Sequence, residues 1–152
     1  MVVGGTERGL RFLTLPRSYR ESVLDGNEGL FRDAVEDSSV FGDLPLRLQR
    51  YFDGEKVTFP DTLDFSEATA FQETVWGETR SISYGEVKSY SWLARQIGKP
   101  QACRAVGRAL ARNRLPIIVP CHRVVASDGG LGGFSGGLWL KRRLLELEAG
   151  RL

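Results

Sequence analysis

The chain has 152 residues, of which 41% are hydrophobic, 10% aromatic and 26% charged, and its formal net charge is +2. Those proportions belong to one ordinary folded domain or two very small ones, and they exclude a disordered chain, a coiled coil and a collagen-like repeat. No apolar run approaches the roughly 18 residues a membrane helix needs, and the first residues lack a secretory signal pattern, so a cytoplasmic protein with no membrane partner is expected.

The net charge conceals a split. Residues 1–64 carry 8 Lys or Arg against 12 Asp or Glu, and residues 65–152 carry 13 against 7. In the first half, residues 10–15 have strand character after the turn-forming Glu7, Arg8 and Gly9, and Pro16 stops them. Residues 44–52 read as a short helix ended by Asp53 and Gly54. Between Asp53 and Asp64 there is no helical period, and the sign of the charge changes. The expected organisation is a small α/β domain over 1–58, a linker over 59–68 and a second domain over 69–152. Nothing in residues 1–64 suggests chemistry.

In the second half, Thr69 and Gln72 fit a capping box for a helix over 70–80. Ser89 can cap a helix over 90–97, which Gly98 ends. Pro100 then suits the first turn of a helix over 101–112. That third helix has an apolar stripe at Ala102, Val106, Ala109 and Leu110, while Arg104, Arg108 and Arg112 recur every four residues on another face. Between Arg80 and Arg123 stand nine basic residues with only Glu86 against them. Two short helices, a tight turn and an arginine stripe form a helix-turn-helix pattern suited to DNA. Arginine there serves either as a phosphate contact or as a side chain that replaces an extruded base.

The chain has one histidine, His122, and two cysteines, Cys103 and Cys121, too few for a four-ligand zinc site of Cys and His within one chain. Outside a secretory context both thiols are expected to be free. Cys103 reads as structural, beside the apolar stripe of a regular helix. Cys121 follows an apolar run at 117–119, read as a buried strand or extended element, and Pro120. His122 and Arg123 come next, and both favour a thiolate nucleophile. Neighbouring side chains on a strand point apart, so either the chain turns at Cys121 or a water relays the proton. A carboxylate must orient the imidazole, and Glu146 and Glu148 are the candidates. A glycine-rich loop over 132–137 lacks the phosphate-binding and dinucleotide signatures, so no nucleotide cofactor is expected. The loop is either a flexible connection or a close-approach surface for a flat ligand, with Phe134 as a wall and Ser135 as a hydrogen-bonding group. A final helix over 138–149 is expected to expose Lys141, Arg142 and Arg143.

The segment IIVPCHRVV at 117–125, with Asn113 to Pro116 before it and the glycine-rich loop and last helix after it, closely resembles the O6-alkylguanine-DNA alkyltransferase family. Further matches are Phe71-Gln72, Val75-Trp76, the run from Tyr84 to Val87, Ser89-Tyr90 and the run from Arg104 to Gly107. The resemblance implies an α/β (α+β) protein with a small ribonuclease-H-like N-terminal domain and a mainly helical, winged-helix-like C-terminal domain. It implies single-turnover repair: the protein extrudes O6-alkylguanine from double-stranded DNA through the minor groove and moves the alkyl group irreversibly onto Cys121. By the same resemblance, His122 deprotonates the thiol through a water, Glu148 orients His122, and Asn113 braces the turn. Tyr90 rotates the nucleotide and protonates the leaving guanine. Arg104 fills the gap in the duplex, and Arg108, Ala105, Gly107 and Arg123 join it at the DNA. Val124, Phe134, Ser135, Gly136, Leu110 and Pro116 line the base pocket. The implied protein is a monomer without metal or cofactor. A tyrosine often stands in the family where this chain has Phe134. Two readings compete: a lesion-binding protein, against which Cys121 speaks, and a thiol hydrolase, which leaves the arginine helix unexplained.

Overall fold

A computed structural model describes residues 1–15 and 34–151. It opens with an antiparallel hairpin, Val2–Thr6 (β1) and Gly9–Thr14 (β2), whose register shifts between Gly4 and Gly5. The sequence reading anticipates β2 but not β1, because two consecutive glycines weaken the strand pattern. They serve the packing: Phe12 lies across Gly4, where a Cβ would collide with its ring. Leu10, Phe12 and Leu13 turn into the core. Pro16, read as the stop of this strand, lies outside the described residues.

A 3-10 turn at Ser38–Phe41 and helix Leu44–Phe52 (α1) follow. The segment expected as a linker is a fastened strap. Leu10 N–H donates to Thr62 O at 2.9 Å and Asp64 N–H to Leu10 O at 2.7 Å, so the strap bridges to β2 in parallel. The Arg47 guanidinium grips the Asp61 carboxylate through two bonds of 2.7 Å, and Arg80 donates to Phe59 O at 2.8 Å.

Helix Ala70–Arg80 (α2) begins at Thr69 with the anticipated capping box, both reciprocal bonds being present. The parallel pair Lys88–Ser89 (β3) and Val124–Val125 (β4) flanks two helices, Tyr90–Gln96 (α3) and Cys103–Ala111 (α4). Ser89 caps α3 by accepting from Trp92 N–H at 3.0 Å. The next helix starts two residues later than expected, since Ala102 offers no capping side chain and the chain from Gly98 to Ala102 forms turns. Its apolar face, Val106, Ala109 and Leu110, is buried, while Arg104, Arg108 and Arg112 stay exposed. Trp76 fixes α2 against this helix by donating to Ala109 O at 2.9 Å. The last helix is Leu138–Glu148 (α5). No described helix is long and apolar enough to cross a membrane.

The core runs continuously from the hairpin and α1 through α2, α3 and α4 to Leu144 of α5. Removing apolar volume at its centre is costlier than removing a cap. Leu93→Ala, at a fully buried position, is expected to cost about 2–5 kcal/mol. Thr69→Ala is expected to cost about 1 kcal/mol. Urea unfolding of both variants measures the difference, and equal losses would contradict this packing.

Candidate active site

Three short features deliver the chemistry-bearing residues: the turn before Cys121, a 3-10 turn at Cys121–Arg123, and the C-terminal end of α5. The run at 117–119, expected as a buried strand or extended element, is a tight turn in which Pro116 and Val119 bridge. Ile117 occupies the left-handed region at φ 74°, a strained place for a β-branched residue. Asn113 holds the turn closed, accepting from Leu115 N–H at 2.9 Å and donating to Val119 O at 2.9 Å. The same amide donates to Cys121 Sγ at 3.1 Å. The chain therefore does turn at Cys121, and the 3-10 geometry places Cys121 and His122 without strand alternation.

Of the two candidate carboxylates, Glu148 reaches His122. Glu146 pairs instead with Arg143 at 3.6 Å on the outer side of the helix. Glu148 Oε1 accepts from His122 Nε2 at 2.7 Å, from Tyr51 O–H at 2.7 Å and from Arg123 Nη2 at 2.9 Å. Its Oε2 accepts from Arg123 Nε at 2.8 Å and Gly85 N–H at 3.0 Å. Gly85 sits at φ 77° with Glu148 O 3.1 Å from where a Cβ would lie, so this approach needs glycine. Burial alone would raise the Glu148 pKa, but the bonds from His122 and Arg123 outweigh it and hold the carboxyl well below its ordinary range. Burial pulls the His122 pKa down against the raising pull of Glu148, so the imidazole rests neutral. Its Nδ1 has no hydrogen-bond partner among the described residues.

Two expectations are corrected. Arg123, expected at the DNA, is 7% exposed, and its guanidinium is spent on Glu148 and on Ile82 O at 2.7 Å. Lys141, expected on the surface, is fully buried, donating to Val124 O at 2.6 Å and Gly133 O at 3.2 Å. Burial lowers its pKa to about 8, opposed by the charge of a Cys121 thiolate. The Cys121 thiol is also not poised as a resting thiolate: burial pushes it up, against lowering contributions from Asn113 and Lys141.

In front of Cys121 opens a cavity of about 700 Å³. Tyr90 forms one wall, Arg104, Gly107, Arg108 and Leu110 of α4 another, and Phe134 and Ser135 of the glycine-rich loop a third. Cys103, read as structural, lies on this wall too. Tyr90 O–H donates to Gly133 O at 3.4 Å, and its hydroxyl lies 2.7 Å from where a Cβ on Gly132 would sit. Three residues expected in the base pocket, Val124, Pro116 and Gly136, do not line the cavity. Val124 points into the core because β4 pairs with β3. Pro116 is buried in the turn. Gly136 lies beneath Phe134 and Leu140. Ala105, expected at the DNA, is half-buried on α4. Sequence reasoning missed Tyr51, for which no local signal exists. It also missed Lys141, although Lys141, Leu144 and Glu148 share one buried helical stripe.

Residues 70–150 match the family model described as the 6-O-methylguanine DNA methyltransferase DNA-binding domain. The chain is 38% identical over 152 residues to the methylated-DNA–protein-cysteine methyltransferase of Methanosarcina barkeri, covering 100% of this chain and 92% of that one. The protein of the same name from Mycobacterium leprae is 46% identical over 114 residues, 75% of this chain and 68% of its own. Among solved structures, Mycobacterium tuberculosis OGT in complex with DNA superposes with a TM-score of 0.80 at 38% identity, over 98% of this chain and 86% of that one. The O6-methylguanine-DNA methyltransferase of Pyrococcus kodakaraensis strain KOD1 gives 0.65 at 33% identity, over 83% and 76%. With matches of this extent along its whole length, the chain belongs to the O6-methylguanine-DNA methyltransferase family.

Proposed function

We infer that the chain is a direct-reversal DNA repair protein, a methylated-DNA–[protein]-cysteine S-methyltransferase acting on O6-alkylguanine in double-stranded DNA. The carrying observation is a buried thiol, Cys121, at the back of a largely apolar cavity whose mouth is the arginine face of α4. Arg104 and Arg108 stand exposed there while the catalytic groups are buried behind. The phosphate backbone attracts the basic half of the chain. An extruded base then enters between Tyr90, Leu110 and Phe134. Arg104 takes the place of the nucleotide, and Ala105 and Gly107 allow α4 to lie close in the minor groove. Ser135 supplies a polar contact to the base, and Phe134 a wall without a hydroxyl.

The thiol proton leaves as the bond forms. His122 Nδ1 accepts it by way of a water, and Glu148 stabilises the resulting imidazolium. Sulfur attacks the alkyl carbon, the carbon–O6 bond breaks, and its electron pair stays on guanine, which takes a proton from Tyr90. Among the described residues no group near Cys121 could cleave the thioether product, so each chain acts once. The reaction needs no metal or organic cofactor. A monomer acting in the cytoplasm, with 1–58 as a small domain, 59–68 as a connection and 69–152 as the alkyl-acceptor domain, completes the reading.

Intact-protein mass spectrometry after mixing with a duplex bearing O6-methylguanine is expected to show one methyl group per chain, and none for Cys121→Ser. An unchanged wild-type mass with tight binding, or multiple turnover, would contradict the reading. The pH dependence has a defined sign. Burial holds the His122 pKa below its ordinary 6.5, so the base stays unprotonated down to below that pH, and burial holds the Cys121 thiol above 9.0. The single-turnover rate constant is therefore expected to be flat from about pH 6.5 until Lys141, whose pKa burial lowers to about 8, begins to lose the charge that favours the thiolate, and to fall on the acid side as His122 protonates. A steady rise across that window would indicate an ordinary titrating thiol.

A further inference from the structure

Tyr51 comes from α1, in the half of the chain where the sequence shows no chemistry, yet its hydroxyl lies inside the carboxylate–imidazole contact. It donates to Glu148 Oε1 at 2.7 Å and stands 3.2 Å from His122 Nε2, which is itself 2.7 Å from the same Oε1. A phenol has one proton to give. With that proton directed at the carboxylate, the phenol oxygen turns lone pairs toward Nε2. Nε2 thus faces two acceptors and must carry the ring proton, which leaves the lone pair of the neutral ring on Nδ1. The phenol stays a neutral donor, because burial and then the Glu148 charge push its pKa far up.

The ring is held as firmly as the hydroxyl. Tyr51 is fully buried, with Phe52, Phe59 and Tyr84 edge-on at 5.3, 6.1 and 5.9 Å between ring centroids. The hydroxyl therefore cannot leave without repacking three aromatic neighbours. The charged or titratable groups around His122 are Glu148 and Lys141 from α5, Arg123 and Cys121 from the 3-10 turn, and Tyr51 from α1, with Tyr84 beside them. Of these, Tyr51 alone comes from the first 64 residues.

We infer that Tyr51 is a positioning residue for alkyl transfer, by which the N-terminal half of the chain holds the imidazole with Nε2 protonated and Nδ1 free. The inference rests on the roles of Cys121 and His122 given under Proposed function. It also assigns the first half of the chain a part in the reaction beyond packing.

The test is Tyr51→Phe, which keeps the ring and removes the hydroxyl. Single-turnover methyl transfer from an O6-methylguanine duplex is followed across pH, together with duplex affinity. Affinity is expected to stay within about twofold, and the plateau rate to fall about three- to tenfold, the order expected for one lost hydrogen bond. The acid limb should move to higher pH: the phenol's donation to Glu148 at 2.7 Å is shorter than its 3.2 Å contact with Nε2, so the carboxylate it releases stabilises the imidazolium by more than the lost acceptor did. Thr69→Ala, a destabilising change away from the site, should leave the limb where it is. An acid limb unmoved in Tyr51→Phe overturns the inference whatever the rate. If Tyr51→Phe does not fold, 2,3-difluorotyrosine at position 51 is used instead. It donates more strongly and should move the limb to lower pH, and no movement again overturns the inference. If the wild-type chain transfers no methyl group, the functional reading itself has failed, which is a different outcome.

Discussion

A buried carboxylate with five donors is the constraint on which this molecule turns. Glu148 accepts from Tyr51, His122, Gly85 and twice from Arg123. Desolvating a carboxylate is costly, and the cost is offset only when every oxygen lone pair is well used. The five donors come from α1, the loop before β3 and the turn at Cys121, so satisfying one charge brings four parts of the chain to a single point. Arg123 also holds Ile82 O, fastening that turn to the end of α2. An unfilled position around Glu148 would loosen the fold and misplace the imidazole together.

The same interior sets the electrostatics of the nucleophile. Glu148 and Arg123 neutralise one another, leaving Lys141 as an extra positive charge whose field favours a thiolate at Cys121. Lys141 ties β4 to the glycine-rich loop through Val124 O and Gly133 O, so one side chain shapes the cavity and biases the sulfur. Burial opposes that bias and keeps the thiol protonated at rest. A protected thiol, deprotonated only as it reacts, suits a protein that spends its one nucleophile once.

Local signals carried much of this. The capping box at Thr69, the serine cap at Ser89, the arginine face of α4 and the Cys121-His122 pair are all written in neighbouring residues. What stayed illegible depends on contacts distant in sequence. Tyr51 meets Glu148 across 97 positions, and nothing near Tyr51 distinguishes it from an ordinary core aromatic. Arg123 looked like a DNA contact because its charge was visible and its buried partner was not. Lys141 was legible in principle, since a helix that points Glu148 inward also points inward the residue two turns earlier. The two-glycine strand β1 and the turn at Ile117 broke their local patterns because tertiary packing overrode propensity.

The central claim is that this network fixes the imidazole as a neutral base with its proton on Nε2. Because His122 is the only histidine of the chain, selective ¹⁵N-histidine labelling yields one pair of ring resonances and an unambiguous tautomer. Nitrogen NMR at neutral pH is expected to show Nε2 protonated and Nδ1 bare. A proton on Nδ1, or on both nitrogens, would contradict the account.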